Sequence, residues 1–217
     1  MGARAVLIDA LVRARLVFWD FDGVIKESVA VKTEAFVQLF SPFGAEVVAR
    51  VRAHHLANGG MSRFEKIPRY LEWAGQSVTD ASVDDYCQRF SQAVLGCVVA
   101  APWVPGVESY LRTNRHGQEF VLVTATPQGE IEAILQAMDL HRCFSAVFGA
   151  PTRKGEAIRQ VLTHRGVRAS EALMVGDATA DLEAARQNEV PFLLRRHVDN
   201  QQVFRDYGGA FVEDFSG

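Results

Sequence analysis

The chain has 217 residues, 48% hydrophobic and 23% charged, with 17 glycines and 7 prolines. That length buries a sizeable core, in one large domain or two unequal units, and the composition excludes disordered and fibrous classes. A formal charge of −3, from 23 basic and 26 acidic residues without long runs of one sign, offers no footprint for nucleic acid, so any anion must be caught locally.

In chain order, Met1 to Leu16 carries Arg4, Asp9, Arg13 and Arg15 rather than the apolar run of a signal peptide. No later stretch approaches the roughly 20 apolar residues of a spanning helix. Cys87, Cys97 and Cys143 are odd in number and lack metal-ligand spacing, so neither disulfides nor a zinc site are expected. These features lead to the expectation of a cytoplasmic protein without membrane or nucleic-acid partners, a monomer or a homodimer.

Leu16-Val17-Phe18-Trp19 is a short apolar run ending at Asp20 and reads as a buried parallel strand. Four amphipathic helices are expected next, over Val29 to Phe40, Ala45 to Leu56, Ser62 to Trp73 and Val83 to Val98, with no strand among them. Pro102-Trp103-Val104-Pro105-Gly106 breaks any helix and reads as a return linker. Strands then alternate with helices. Phe120 to Val123 runs into Thr124 and a helix over Gln128 to Met138; Ala146 to Phe148 precedes a helix over Lys154 to His164. Ala172 to Val175 runs into Gly176-Asp177 and a helix over Thr179 to Asn188, before a last strand over Pro191 to Leu194. Such alternation implies a doubly wound α/β sheet, whose strand ends share one ligand-binding edge.

At that edge Asp20, Asp22, Asp177 and Asp181 would meet. Like charges so gathered call for a cation, and oxygen-only ligands favour a hard one such as Mg²⁺. Thr124 offers a hydroxyl and a backbone N–H to an anion, and Lys154 offers positive charge. Each alone has an ordinary structural reading: an Asx turn, a helix cap, a solvated lysine.

Together, Asp20-Phe21-Asp22-Gly23-Val24, Thr124, Lys154 and Gly176-Asp177-x-x-x-Asp181 resemble the four ordered motifs of the haloacid dehalogenase superfamily. The resemblance covers most of the chain and implies a Rossmann-like core at 1–26 and 101–217 with an α-helical cap inserted at 27–100, near phosphoglycolate phosphatases and β-phosphoglucomutases. It implies that Asp20 attacks phosphorus and carries an aspartyl-phosphate. Asp22 would be the acid/base partner, while Thr124, Ala125 and Lys154 hold the phosphoryl group. Mg²⁺ would sit on Asp20, the Asp22 backbone carbonyl and Asp177, with Asp181 either on a metal-bound water or orienting Lys154. The name-giving dehalogenases lack the second Asp of the first motif, so Asp22 points to phosphate chemistry.

Gly60-Met61-Ser62-Arg63 resembles the cap loop with which β-phosphoglucomutases hold the distal part of a sugar phosphate, although Ser62 as a helix N-cap accounts for it structurally. Arg63 and Lys66, three apart on one helix, are candidate substrate contacts. His54 and His55 diverge by about 100° on a helix and cannot share an ion, so they are expected in solvent or core. The expected partner is a small phosphorylated metabolite, a sugar phosphate or a phosphoglycolate-like acid. A phosphosugar mutase would use the same Asp20 chemistry, and a binding or regulatory protein with a spent site is a third class.

Overall fold

The computed structural model describes residues 9–216. Residues 1–8, which include Arg4 and part of the reading made of Met1 to Leu16, lie outside that range.

Six parallel strands form one sheet: β1 (Leu16–Trp19), β2 (Glu119–Pro127), β3 (Ala146–Ala150), β4 (Ala172–Gly176), β5 (Phe192–Arg195) and β6 (Phe211–Val212), in the order β3-β2-β1-β4-β5-β6. The apolar runs are covered on both faces. Val17, Trp19, Phe120, Leu122, Leu173 and Val175 pack to one side, while Leu16, Phe18, Val121, Val123, Ala172 and Met174 pack to the other. Strand alternation alone produces that division. On the first side lie the short α5 (Val107–Thr113) and α6 (Gln128–Ala137), and on the second α7 (Lys154–Arg165) and α8 (Thr179–Gln187).

Register decides which residues share the carboxyl edge. Trp19 is level with Leu122 of β2 and Val175 of β4. One step further along the chain is Asp20, and two steps beyond that level on the flanking strands are Thr124 and Asp177. Strand reversal at β1, with β2 on one side and β4 on the other, is the topological switch point at which open α/β sheets hold ligands.

After β1 the chain leaves the sheet and builds α1 (Val29–Phe40), α2 (Ala45–Ala57), α3 (Arg63–Trp73) and α4 (Asp80–Ala100) before rejoining it. Their apolar faces, around Phe36, Phe40, Val51, Ile67, Tyr70, Phe90 and Val94, are continuous with the cluster on the first side of the sheet. Exit and return segments cross as a short pair: Glu27 N donates to Pro102 O at 2.9 Å and Val104 N to Ile25 O at 3.0 Å. Lys26 secures the crossing by donating to Val99 O at 3.0 Å and lying over the Trp103 ring.

The helix over 83–98 begins earlier than its periodicity suggests. Thr79 caps it, accepting from Ser82 N at 3.2 Å, and the first turn is polar because it faces water. Helix α5 and strand β6 have no counterpart in the sequence reading, since seven and two residues are too short for a periodic signal. No helix among the described residues is long and apolar enough to cross a membrane.

Candidate active site

Asp20 leaves the end of β1 with only 4% of its surface exposed. Its Oδ2 lies 2.9 Å from Lys154 Nζ, which also donates to Asp181 Oδ1 at 2.5 Å. The other Asp181 oxygen, Oδ2, accepts from the backbone N–H groups of Asp177 and Ala178 at 3.2 and 3.0 Å, capping α8. Both Asp181 oxygens are thus occupied by protein donors. Asp177 follows β4 directly, and one ligand atom each from Asp20, Asp177 and Asp181 lie within 4.8 Å of one another.

Three buried carboxylates against one ammonium leave two negative charges uncompensated. Burial, then the Asp181 charge, pushes the Asp20 carboxyl up to about 7 despite Lys154. Asp177 and Asp181 are raised too, chiefly by burial. Burial works against the Lys154 charge, yet Asp181 and Asp20 overcome it and lift that group above the ordinary lysine value. A hard divalent cation would supply the missing charge, and the donor set is all oxygen, so the residues fit one.

Asp22 departs from the four-acid grouping. Its carboxylate turns away from the cluster: Oδ1 accepts from Ser28 Oγ at 2.6 Å, and Oδ2 accepts from Lys32 Nζ and from Thr126 Oγ1 at 3.3 Å. Burial alone would raise its pKa, but the Lys32 charge and these hydrogen bonds outweigh burial and hold it below the usual carboxylate range. The next residue explains how Asp22 can sit so close to the acids. Gly23 has φ +73°, and a Cβ there would lie 2.2 Å from Asp177 Oδ2, so only glycine fits both the turn and the approach.

A cavity of about 50 Å³ opens between Asp20, Asp22, Thr124, Ala125, Thr126 and Asp177 on the sheet side and the helices on the other. Gly60 brings the loop before α3 against α8, where a Cβ would lie 2.7 Å from Ala180 Cβ. Arg63 and Lys66 both line this cavity, in different states. Arg63 makes a two-pronged pair with Glu130 at the start of α6, at 2.9 and 2.5 Å, donates to Ser91 and covers Phe90. Lys66, 1% exposed, has Nζ 2.9 Å from His55 Nδ1 and lies over the Phe36 ring, 5.8 Å from its centroid. Burial and the charge of Lys32 lower Lys66 to about 7, while burial and Lys66 drive His55 well below its ordinary value. His54 points elsewhere, to Tyr70 and Arg69.

A family model described as haloacid dehalogenase-like hydrolase matches residues 17–194. The chain belongs to that family. Among curated relatives of this haloacid dehalogenase-like hydrolase is the phosphoglycolate phosphatase of Pseudomonas savastanoi pv. phaseolicola (strain 1448A / Race 6), 27% identical over 183 residues. That match takes in 79% of this chain but 65% of the relative, so the chain spans just under two thirds of the relative's length. Solved structures share the fold. CbbY from Rhodobacter sphaeroides in complex with phosphate superposes with a TM-score of 0.73 at 16% identity, covering 93% of this chain and 95% of that one. β-Phosphoglucomutase from Clostridium difficile gives 0.73 at 17%, covering 93% and 92%.

The sequence reading did not assign Ser28, Lys32, Thr126, Glu130, His55, His197 or Asn200 to the site, although all of them touch residues that line the cavity. Thr126, two residues past Thr124 on the same strand, is the one with a readable signal. The others arrive from helix faces and loops whose direction a linear pattern does not give.

Proposed function

We propose that this haloacid dehalogenase-like hydrolase is a Mg²⁺-dependent phosphatase acting on a small phosphorylated metabolite through an aspartyl-phosphate on Asp20. The observation that carries this reading is the setting of Asp20: a buried carboxylate, one oxygen on Lys154, in the wall of a cavity whose neighbours are Asp22, Thr124 and Asp177. Helices Val29–Phe40 to Asp80–Ala100 act as the cap that closes this cavity.

In the first half-reaction Asp20 forms a bond to phosphorus while the ester P–O bond breaks, and Asp22 delivers a proton to the departing oxygen. In the second, Asp22 takes a proton from water, which attacks phosphorus and frees inorganic phosphate from Asp20. Asp22 rests as a carboxylate under Lys32 and Ser28, ready for the second half, and must gain a proton before the first. Thr124 and the backbone at Ala125 hold phosphoryl oxygens; Lys154 shields Asp20 from its neighbours. Asp20, the Asp22 carbonyl and Asp177 would hold Mg²⁺, with Asp181 confined to orienting Lys154. When bound, Mg²⁺ supplies the charge neutralisation on which phosphoryl transfer chiefly depends.

The named activity of the relatives, phosphoglycolate phosphatase, favours a short phosphorylated acid over a hexose phosphate. The test is a screen for Mg²⁺-dependent phosphate release on phosphoglycolate, other short phospho-acids, sugar phosphates and an aryl phosphate, with isomer formation followed in parallel. Release is expected, largest on short acids, and lost by at least ~10⁴-fold in Asp20→Asn. Turnover by a folded Asp20→Asn would remove Asp20 as nucleophile, and isomer formation without phosphate release would make the protein a mutase.

A further inference from the structure

The loop that follows β5 takes hold of Asp177 at two points. His197 Nε2 lies 2.8 Å from Asp177 Oδ2, and Asn200 Nδ2 donates to the Asp177 carbonyl oxygen at 2.8 Å. Asn200 also ties the loop to itself, donating to Arg195 O at 2.9 Å and accepting from His197 N at 2.9 Å. The His197 side chain is 8% exposed, so its ring is held by its surroundings rather than by solvent. An ionised carboxylate only accepts hydrogen bonds, so Nε2 carries the hydrogen of this contact.

Asp177 Oδ2 is hemmed in from a second direction as well, because the space above the Gly23 Cα is filled by that same oxygen. Oδ2 therefore faces protein on two sides, and Oδ1 is the oxygen left to serve the acidic cluster. Each acid of the cluster has at least one oxygen held by a protein donor. Asp20 commits Oδ2 to Lys154, Asp181 commits both oxygens to Lys154 and the backbone, and Asp177 commits Oδ2 to His197. His197 differs from the other two anchors in coming from a loop outside the four motifs.

We infer that His197 is a positioning residue for the divalent cation: it fixes the Asp177 carboxylate in one rotamer and leaves Oδ1 as its single cation-binding oxygen. This rests on the proposed metal site. Partners of this outer kind set ligand orientation, and losing one typically weakens metal binding ~10–100-fold.

The test titrates Mn²⁺, a paramagnetic hard dication standing in for Mg²⁺, into the full chain without any phosphate ester. Wild type, His197→Ala and His197→Gln are compared by the electron paramagnetic resonance of free Mn²⁺. His197→Ala is expected to raise the Mn²⁺ Kd about 10–100-fold, and His197→Gln, which keeps an N–H donor, to recover most of that loss. The rise in Tm caused by saturating Mn²⁺ should shrink in His197→Ala and persist in His197→Gln, a readout that a merely destabilised fold would not produce. If His197→Ala does not fold, His197→Asn, polar but too short to reach Oδ2, takes its place with the same expected loss. A Kd within twofold of wild type overturns the inference, as does a glutamine variant that folds yet binds as weakly as alanine. Absence of Mn²⁺ binding in wild type brings down both the metal reading and this one. Binding that follows the His197 series in a protein that releases no phosphate from any ester overturns only the phosphatase reading.

Discussion

The two walls of the cavity carry opposite charge and reach that state by different means. On the sheet side, Asp20 and Asp177 stand just beyond strand ends whose levels are fixed by hydrogen-bonded register, and Asp181 stands in the first turn of the helix that follows. They outnumber their one cation, Lys154. On the helical side, Lys32, Arg63 and Lys66 come from two helices and reach inward on long side chains. Lys32 is matched by Asp22 and Arg63 by Glu130, both of them acids of the sheet domain, whereas Lys66 has no ion-pair partner among the described residues. The sheet wall has an excess of negative charge and the helical wall one lysine that an entering anion would hold protonated, so a cation and an anion entering together satisfy both. A metal-bound phosphate ester is such a pair.

The largest effect that would break this contrast is expected at Lys154. Replacing it by Met keeps the volume and removes the only ammonium among three buried carboxylates. Turnover is expected to fall ~10²–10³-fold, the range for removing one electrostatic stabiliser. Leaving buried acids unpaired should also cost about 3–5 kcal/mol in urea unfolding, and Mg²⁺ should return part of it. Stability that is unchanged, or indifferent to Mg²⁺, would mean that the cluster is not held ionised.

Next comes the more deeply buried of the two ion pairs that join the walls. Arg63 and Glu130 are 4% and 8% exposed, and removing either partner strands a buried charge. Arg63→Met and Glu130→Met are each expected to lose about 3–5 kcal/mol, whereas the double variant lies within ~1–2 kcal/mol of wild type, because a buried pair and an apolar pair of similar volume are close in energy. Additive losses in that cycle would show that the two groups do not interact, and that this pair does not hold the helices to the sheet.

The contrast between the walls also explains what could be seen in the sequence. Asp20, Thr124, Asp177 and Asp181 were legible because each ends an apolar run or opens the helix after it, and parallel strands in one sheet must deliver such positions to a common edge. Lys154 was legible only through its place in the motif order, since a lysine opening a helix is otherwise unremarkable. Asp22 was legible as an acid but not in its direction: nothing in Asp20-Phe21-Asp22 reveals that Lys32, ten residues on, turns it away from the cluster. Arg63 was found by its loop, yet its partner Glu130 is 67 positions distant and no local pattern joins them. His197 was invisible for the same reason, being placed by a loop that Asn200 folds back on Asp177. Strand β6 left no trace because two residues have no period.

The smallest expected effect, and the one that most sharpens the comparison, concerns Lys66. An unfolded chain titrates a lysine near ~10.4, whereas burial and the nearby charge of Lys32 hold Lys66 at about 7 in the folded protein. Between these values the unfolded state binds a proton that the folded state lacks, so the contribution of Lys66 to stability rises with pH across the window. Below pH 7 the buried charge is present in full and destabilises most. Lys66→Met removes the titration. The variant is therefore expected to be more stable than wild type at pH 6, on the order of 4 kcal/mol, because each pH step across that window is worth about 1.4 kcal/mol, with the difference closing toward pH 10. Urea unfolding at pH 6, 8 and 9.5 measures this; the difference between the two proteins cancels the titrations that Lys66 does not influence, and the coupled shift of His55, 2.9 Å away, is confined to the acid end. Parallel stability curves would show that Lys66 has a counter-charge in the folded protein after all. Convergent curves, joined to weaker binding of an anionic ester by the same variant, would show that the fold tolerates an unfavourable lysine because the ligand needs it, which is how stability is traded for function at a binding site.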